Sequence, residues 1–206
     1  MNFESNLNPN DLEPPPRITG SLILIHAISG LCCGVWGVFQ TFQPDAFVGL
    51  SVPEYEGPDV PQVVKVVGAV TMAPLVLLVI LEAMAGIGLI TASRRAVARL
   101  RWWAILRALL AALGLILGVL TKEANIAFQL EMYEAMDAAW PPGVPAPFPF
   151  PTDPNEVEQS YNLGLLMILL LGLAAPIGVG LWLMGGRGAR LQERLDMWRV
   201  ATGGRP

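Results

Sequence analysis

One acid lies inside an otherwise apolar stretch, and it is the first residue for which a chemical role can be argued. Glu82 sits in the middle of VLLVILEAMAGIGLI, residues 76–90. A charged side chain at the centre of a bilayer costs about 3 kcal/mol, so such an acid usually faces other helices and has a partner. His26, the single histidine, and Arg107 lie inside two other apolar stretches. Together these residue types can form a polar clasp, relay a proton or, through the imidazole, hold a metal.

The three residues lie at similar depths in their stretches. At about 1.5 Å per residue, Glu82 and His26 lie about 5 Å and about 4.5 Å from the middle of their stretches, on the same side. Arg107 lies a few residues to that side of its own midpoint, with snorkelling to the headgroups as the alternative. We therefore expect a buried polar cluster of Glu82, His26 and Arg107. A structural clasp is the favoured interpretation; proton or ion handling, or a placement facing lipid or a partner, are the alternatives.

The single histidine limits the cofactor chemistry that this chain could support. One imidazole cannot supply both axial ligands of a bis-histidine haem, and a pigment held by one ligand leaves no spacing that can be recognised. Cys32 and Cys33 are adjacent, without the C-x-x-C spacing of redox or metal sites. We expect no metal and no cofactor, with a haem or a chlorophyll-type pigment on His26 as the alternative.

Four apolar runs must position these residues. Hydrophobic residues make up 53% of the 206 residues and charged residues 15%, which is too apolar for an ordinary water-soluble domain. A helix of about 20 apolar residues can cross the hydrocarbon core of a bilayer. Such runs occupy residues 18–40, 66–91, 100–121 and 161–184. The sequence thus predicts an all-α fold, an integral membrane four-helix bundle within residues 18–186.

The distribution of basic residues predicts the orientation of this bundle. Of the 13 basic residues, all but Lys65 and Lys122 fall before the first run, around the turn between the second and third, or after the fourth. The positive-inside rule then places both termini in the cytoplasm. An excess of arginine over lysine is typical of bacteria with GC-rich genomes, so we expect a bacterial inner membrane.

Long helices are expected to protrude on the non-cytoplasmic side, where the outer loops are 41–62 and 122–160. The segment after Thr121 keeps a helical periodicity, which predicts that the third helix continues outward. Asp153, Pro154 and Glu156 are typical of an N-cap, a first-turn proline and a capping-box acid, so the fourth helix should run from 154 to 184.

A proline-rich ribbon, PPGVPAPFPFPTDP, lies between these two outer helices. Its composition favours an extended polyproline II conformation. Phe148 and Phe150 in the ribbon, with Trp140 before it, form a predicted docking surface for another membrane protein subunit, since rigid aromatic side chains lose little entropy on binding. A rigid loop without a partner is the alternative.

The two termini are expected to differ. Residues 1–17 are acidic and proline-rich, and we expect a disordered cytoplasmic segment. Residues 187–206 form a basic amphipathic tail, predicted to lie on the inner leaflet and to bind anionic lipids. Its lipid-surface residues are Arg190, Arg194, Trp198 and Arg199; a cytosolic partner site is the alternative.

No motif of an enzyme or a nucleotide-binding site occurs in the sequence. We therefore expect neither an enzyme nor a nucleic-acid-binding protein. The favoured function is that of an accessory or structural subunit of a larger membrane protein complex, mediating helix packing and subunit docking. Two alternatives stay open: a small proton- or ion-coupled transporter or channel using Glu82, and a subunit that holds a haem or chlorophyll-type pigment through His26.

Overall fold

The computed structural model describes residues 13–43, 55–141 and 150–202, and within these ranges helices are the only regular secondary structure. The predicted all-α class is confirmed for this part of the chain. The helices are α1 (Arg17–Phe42), α2 (Gln62–Ile90), α3 (Ala96–Leu120), α4 (Lys122–Ala139), α5 (Pro154–Met167), α6 (Ala175–Met184) and α7 (Gly186–Ala201), with a π-helical segment, Ile168–Ala174, between α5 and α6.

Three of the described helices are long and apolar enough to cross a membrane. They are α2, α3 and the continuous stretch Pro154–Met184, whereas the apolar stretch Arg17–Cys32 of α1 is shorter. Their large aliphatic side chains are extensively exposed. Helices that are apolar around their whole circumference are normally covered by lipid or by other helices.

Backbone contacts divide the chain into two compact units. The first contains residues 1–32, 75–109 and 173–206, and the second contains residues 33–74 and 110–172. In the first unit, α2, α3, α6 and α7 share one apolar core. Its buried side chains include Ala85, Leu89, Ala96, Val97, Leu100, Leu183 and Leu195.

The turn between α2 and α3 closes one end of this core. Ser93 N donates to Gly88 O at 2.7 Å and Ala92 N donates to Leu89 O at 3.5 Å, which is the pattern of a Schellman C-cap. The motif needs a left-handed residue, and Ala92 supplies it with φ 54°. Glycine is usual there because a Cβ is strained in this conformation. The methyl group of Ala92 is buried at 4% exposure, and its burial offsets part of that strain.

The connection between α6 and α7 depends on an arginine and a glycine. Arg101 of α3 donates from Nε at 3.1 Å and from Nη2 at 2.8 Å to the carbonyl of Leu183, in the last turn of α6. This carbonyl would otherwise lack a partner, and the negative end of the helix dipole favours a cation. A Cβ on Gly188 would collide with the same carbonyl, so glycine lets α7 begin directly beside the end of α6.

The second unit contains α4 and α5. Thr121 separates α3 from α4, yet the i to i−4 bonds from Thr121 N to Leu117 O and from Asn125 N to Thr121 O are both 3.0 Å long. The predicted helical segment after Thr121 is therefore confirmed, with a break of one residue. Asp153 is confirmed as the N-cap of α5, where its side chain accepts a hydrogen bond from Asn155 N at 2.9 Å and Pro154 begins the helix.

The predicted helix from 154 to 184 is also continuous, but it contains the π-helical segment. Pro176 follows this segment, at the start of α6. A proline has no N–H for the carbonyl four residues earlier, and its ring crowds that carbonyl. A wider π turn immediately before the proline relieves the crowding without ending the helix.

Candidate functional site

Two glycines bring α1 and α2 into close contact. A Cβ on Gly20 would lie 2.7 Å from Gly86 O, and a Cβ on Gly86 would lie 2.9 Å from Gly20 O. Real side-chain carbons do not approach backbone oxygens so closely, so only glycine allows this crossing. Further along the same pair of helices, a Cβ on Gly30 would be in ordinary contact with Val79, 3.6 Å away.

This crossing places His26 against Glu82. The Nδ1 atom of His26 lies 2.6 Å from Oε1 of Glu82. The Glu82 side chain is 7% exposed, whereas the His26 side chain is 67% exposed. In a neutral imidazole whose Nδ1–H donates to the carboxylate, Nε2 keeps its lone pair. The pair therefore joins two helices with a buried acid and an accessible imidazole.

Arg107 is a looser neighbour of this pair. It is half-buried on α3, and the carboxylate of Glu82 interacts with it electrostatically. Among the described residues, no hydrogen bond and no ion pair within 4 Å involves its guanidinium. The structure therefore brings His26 and Glu82 into contact and leaves Arg107 outside the hydrogen-bonded pair.

His26 and Glu82 also line a partly open cavity of about 1170 Å³ inside the first unit. Its walls are apolar and include Leu22 of α1, Trp103 of α3 and Val179 and Trp182 of α6. On α1 the lining runs from Thr19 to His26, a rise of about 10 Å along the helix axis.

Arginines of α7 and two acids also line the cavity. Arg187, Arg190 and Arg194 all line it. Arg194 forms an ion pair with Glu13, with Nη1 and Oε2 2.7 Å apart, and also donates to the carbonyl of Pro14. Arg187 and Arg190 are exposed, and neither makes a hydrogen bond or ion pair with any residue that the structure describes. The cavity lining thus combines apolar walls with the His26–Glu82 pair, three arginines and the acids Glu13 and Glu193.

The residues predicted to dock a partner are placed differently. Phe150 is half-buried and packs edge-to-face on Trp140, with ring centroids 5.7 Å apart and an interplanar angle of 64°. Both rings join a cluster with Tyr55 and Met136 in the second unit. These two aromatic side chains therefore hold the end of the ribbon against α4. Phe148 lies outside the described residues.

The basic tail folds against the protein as α7. Leu195 is fully buried in the core of the first unit, and Leu191 and Trp198 pack against that core. The apolar face of α7 is therefore covered by the chain itself. Arg190 is exposed, whereas Arg194 and Arg199 are half-buried. The predicted lipid-surface residues consequently share one helix but not one environment.

Sequence reasoning missed several residues of this site. The crossing at Gly20 and Gly86 could not be predicted from a GxxxG repeat, because each helix contributes a single glycine to the closest approach. Trp182 lies at the end of the fourth apolar run and Arg187 follows that run, and only the packing of α6 and α7 brings them to the same cavity as His26. A count of basic residues at the end of a span can identify candidates such as Arg187, but not the cavity.

A comparison of the chain with protein-family models, with curated protein sequences and with solved structures finds no match.

Proposed function

We propose that the protein is a structural subunit of a larger membrane protein complex, a four-helix membrane bundle with cytoplasmic termini in a bacterial inner membrane. Its helices would be covered partly by lipid and partly by the helices of other subunits. Its outer helices, α4 and the start of α5, would lie on the non-cytoplasmic side and contribute to docking.

The observation that carries this proposal is the exposed apolar surface around the π-helical segment. Consecutive residues of a helix point in all directions around its axis. Here six consecutive large apolar residues are each at least 38% exposed: Leu166, Met167, Ile168, Leu169, Leu170 and Leu171. A helix that is apolar on every side needs an apolar environment on every side. A π segment exposed in this way is a natural place for a neighbouring helix to pack, because irregular backbone at membrane depth is best covered by protein.

The outer region supports docking through its rigidity. Lys122 at the start of α4 and Glu158 of α5 form an ion pair with a distance of 2.6 Å. Tyr161 donates to the carbonyl of Gly118 at 2.8 Å, and Val157 is 1% exposed. A preordered surface binds a partner with a smaller loss of conformational entropy.

Site-specific photocrosslinking in native membranes tests this proposal. A photoreactive amino acid at Leu166 or Leu170 should give an adduct with a second protein, and one at Phe148 tests the ribbon in the same way. Leu109 of α3 is the matched control, since it is 62% exposed. Phe150 is a poor probe, because its replacement also removes the contact with Trp140. If 166, 170 and 148 give only the lipid adducts obtained at 109, the subunit proposal fails.

Within this proposal the His26–Glu82 pair is an interhelical clasp. The carboxyl group is buried and its hydrogen bond joins α1 to α2. Glu82→Gln keeps hydrogen-bonding capacity and removes a charge that is costly to bury, so its stability should stay within about 1 kcal/mol of wild type. Glu82→Leu leaves the partners of the acid without a hydrogen bond and should cost about 1 to 3 kcal/mol.

Proton or ion transport is the second candidate function, because Glu82 and His26 also line the cavity. Thermal unfolding in detergent, measured beside ion flux in liposomes, separates the two candidates. A clasp predicts no wild-type flux and a loss of stability in the Leu variant alone. Transport predicts a wild-type ion flux that disappears in a stable Glu82→Gln variant, since an amide cannot titrate. That result would contradict a purely structural role for the His26–Glu82 pair.

A further inference from the structure

We propose that the cavity of the first unit binds an iron porphyrin, with Nε2 of His26 as the axial ligand of the iron and with Arg187 and Arg190 holding the porphyrin carboxylates. This inference is independent of the assembly proposed above, because it concerns the isolated chain.

The His26–Glu82 pair has the arrangement of a metal-ligating histidine. Such a histidine commonly donates its second ring N–H to a carboxylate, which fixes the ring orientation and makes the ligating nitrogen more basic. Here Nδ1 lies 2.6 Å from the Glu82 carboxylate, and the imidazole is 67% exposed and lines the cavity. Nε2 makes no hydrogen bond to any described residue.

The donor set fits a porphyrin better than a bare metal ion. Among the described residues, no group of three or more His, Cys, Asp or Glu side chains is placed to hold a metal. A porphyrin supplies its own ring nitrogens, so a single protein ligand such as histidine is enough.

The rest of the cavity matches the shape and polarity of such a ligand. Its volume of about 1170 Å³ lies just above the usual range of about 300 to 1000 Å³ for ligand sites, which leaves room for a large ligand. The walls are apolar, with Trp103 and Trp182 among them. With the iron at the histidine, the two propionates would bind the arginines of the lining.

The arginines decide between classes of tetrapyrrole. Arg187 and Arg190 are exposed and have no ion pair within 4 Å among the described residues, whereas Arg194 is paired with Glu13. Glu193 lies in the same lining, so three arginines face two acids and the net charge of this part of the cavity is positive. Arginine binds a carboxylate through charge-assisted, often bidentate, hydrogen bonds. A haem with free propionates gains from such arginines, but a pigment whose carboxylates are esterified with a long alcohol does not. The exposed arginines Arg187 and Arg190 therefore favour a haem over an esterified pigment.

Titration of the detergent-solubilised, cofactor-free protein with hemin tests the proposal. We expect saturable binding of one hemin per chain, with the absorption spectrum of an imidazole-ligated haem. His26→Gly should lose that spectrum, and added imidazole should restore it, because the variant leaves space for the free ligand. A spectrum unchanged by His26→Gly would overturn the proposal.

The role of these arginines is tested by comparing two porphyrins. Arg187→Gln with Arg190→Gln should weaken hemin binding about tenfold, but should leave binding of the dimethyl ester of hemin unchanged. Arg95→Gln is the matched control, since Arg95 is an exposed arginine outside the cavity lining. An equal loss of affinity for both porphyrins would show that the arginines do not bind the propionates.

Native mass spectrometry of the purified protein identifies a competing occupant. A bound phospholipid that hemin fails to displace would overturn the proposal, because the cavity would then be a lipid site. Glu82→Gln should retain hemin but raise its reduction potential, since an amide makes the imidazole a weaker electron donor than a carboxylate does. An unchanged reduction potential would show that Glu82 does not act on the haem through His26.

Discussion

At the scale of single residues, the depth of a polar side chain in an apolar helix is the most informative quantity that the sequence provides. His26 and Glu82 were placed at one level by counting residues from the ends of two antiparallel runs, and their side chains are in contact in the structure. The same count included Arg107, which has no hydrogen bond to them among the described residues. Depth gives the level of a residue along its helix, but not the direction in which its side chain points around the axis.

A charged pair outside the apolar segments gives a prediction at this scale. The hydrogen bond and charge of Lys122 lower the pKa of Glu158 below its ordinary value of 4.5. Glu158 precedes the apolar run 161–184, and its side chain is 48% exposed. Because the pKa is lower in the folded state, the stabilisation is present above the ordinary pKa of the acid and is lost as the pH falls through the lowered value.

The melting temperature of the wild type should therefore fall between pH 6 and pH 3.5 by more than that of Glu158→Gln. The difference should shrink in high salt, because the pair is exposed. Lys122→Met provides the control, since it removes the partner and leaves the acid. Parallel pH profiles for the wild type and both variants would show that the ion pair contributes nothing to stability.

At the scale of elements, contact between helices is decided by the smallest residues. Gly20 and Gly86 allow two backbones to approach within a distance that a methyl group would prevent. The contact lies six residues from His26 and four from Glu82, so the geometry of the pair depends on it.

Gly20→Ala should destabilise the protein by about 1 to 3 kcal/mol, as overpacking does, because neither backbone can move without separating the helices. Gly114→Ala is the matched control: a Cβ at Gly114 meets nothing within 4 Å, so alanine there should be neutral or stabilise by up to about 1 kcal/mol. Thermal unfolding in one detergent compares the two variants. Equal stability of Gly20→Ala and the wild type would show that the crossing tolerates a methyl group.

The sequence predicted helix ends better than it predicted interruptions. The N-cap at Asp153 and the helical continuation after Thr121 were predictable because each depends on local residues. The π-helical segment was not predicted, because its residues Ile168–Ala174 have the composition of an ordinary apolar helix. The packing of Leu195 into the core was missed for a related reason: an amphipathic helix has an apolar face in either environment, and only tertiary structure decides what covers that face.

At the scale of the whole molecule, the proposed orientation can be tested directly. In a Cys32→Ala, Cys33→Ala background, cysteines at the exposed positions Asp59 and Gln159 should react with a membrane-impermeant maleimide from outside intact cells. Cysteines at the exposed positions Arg94 and Thr202 should react only after the cells are opened, because the positive-inside rule places them in the cytoplasm. Labelling of all four positions in intact cells would contradict the four-span topology.

The position of the clasp along the chain has a consequence for biosynthesis. Its two residues are separated by 56 positions, and both precede α3, whereas the Arg101–Leu183 contact spans 82 positions. Chains emerge from the ribosome with the N-terminal part first. Glu82 can therefore acquire its partner as soon as α2 has been made, while Arg101 must wait for α6. A truncated chain ending before α3 therefore already contains both residues of the clasp and both glycines of the α1–α2 crossing.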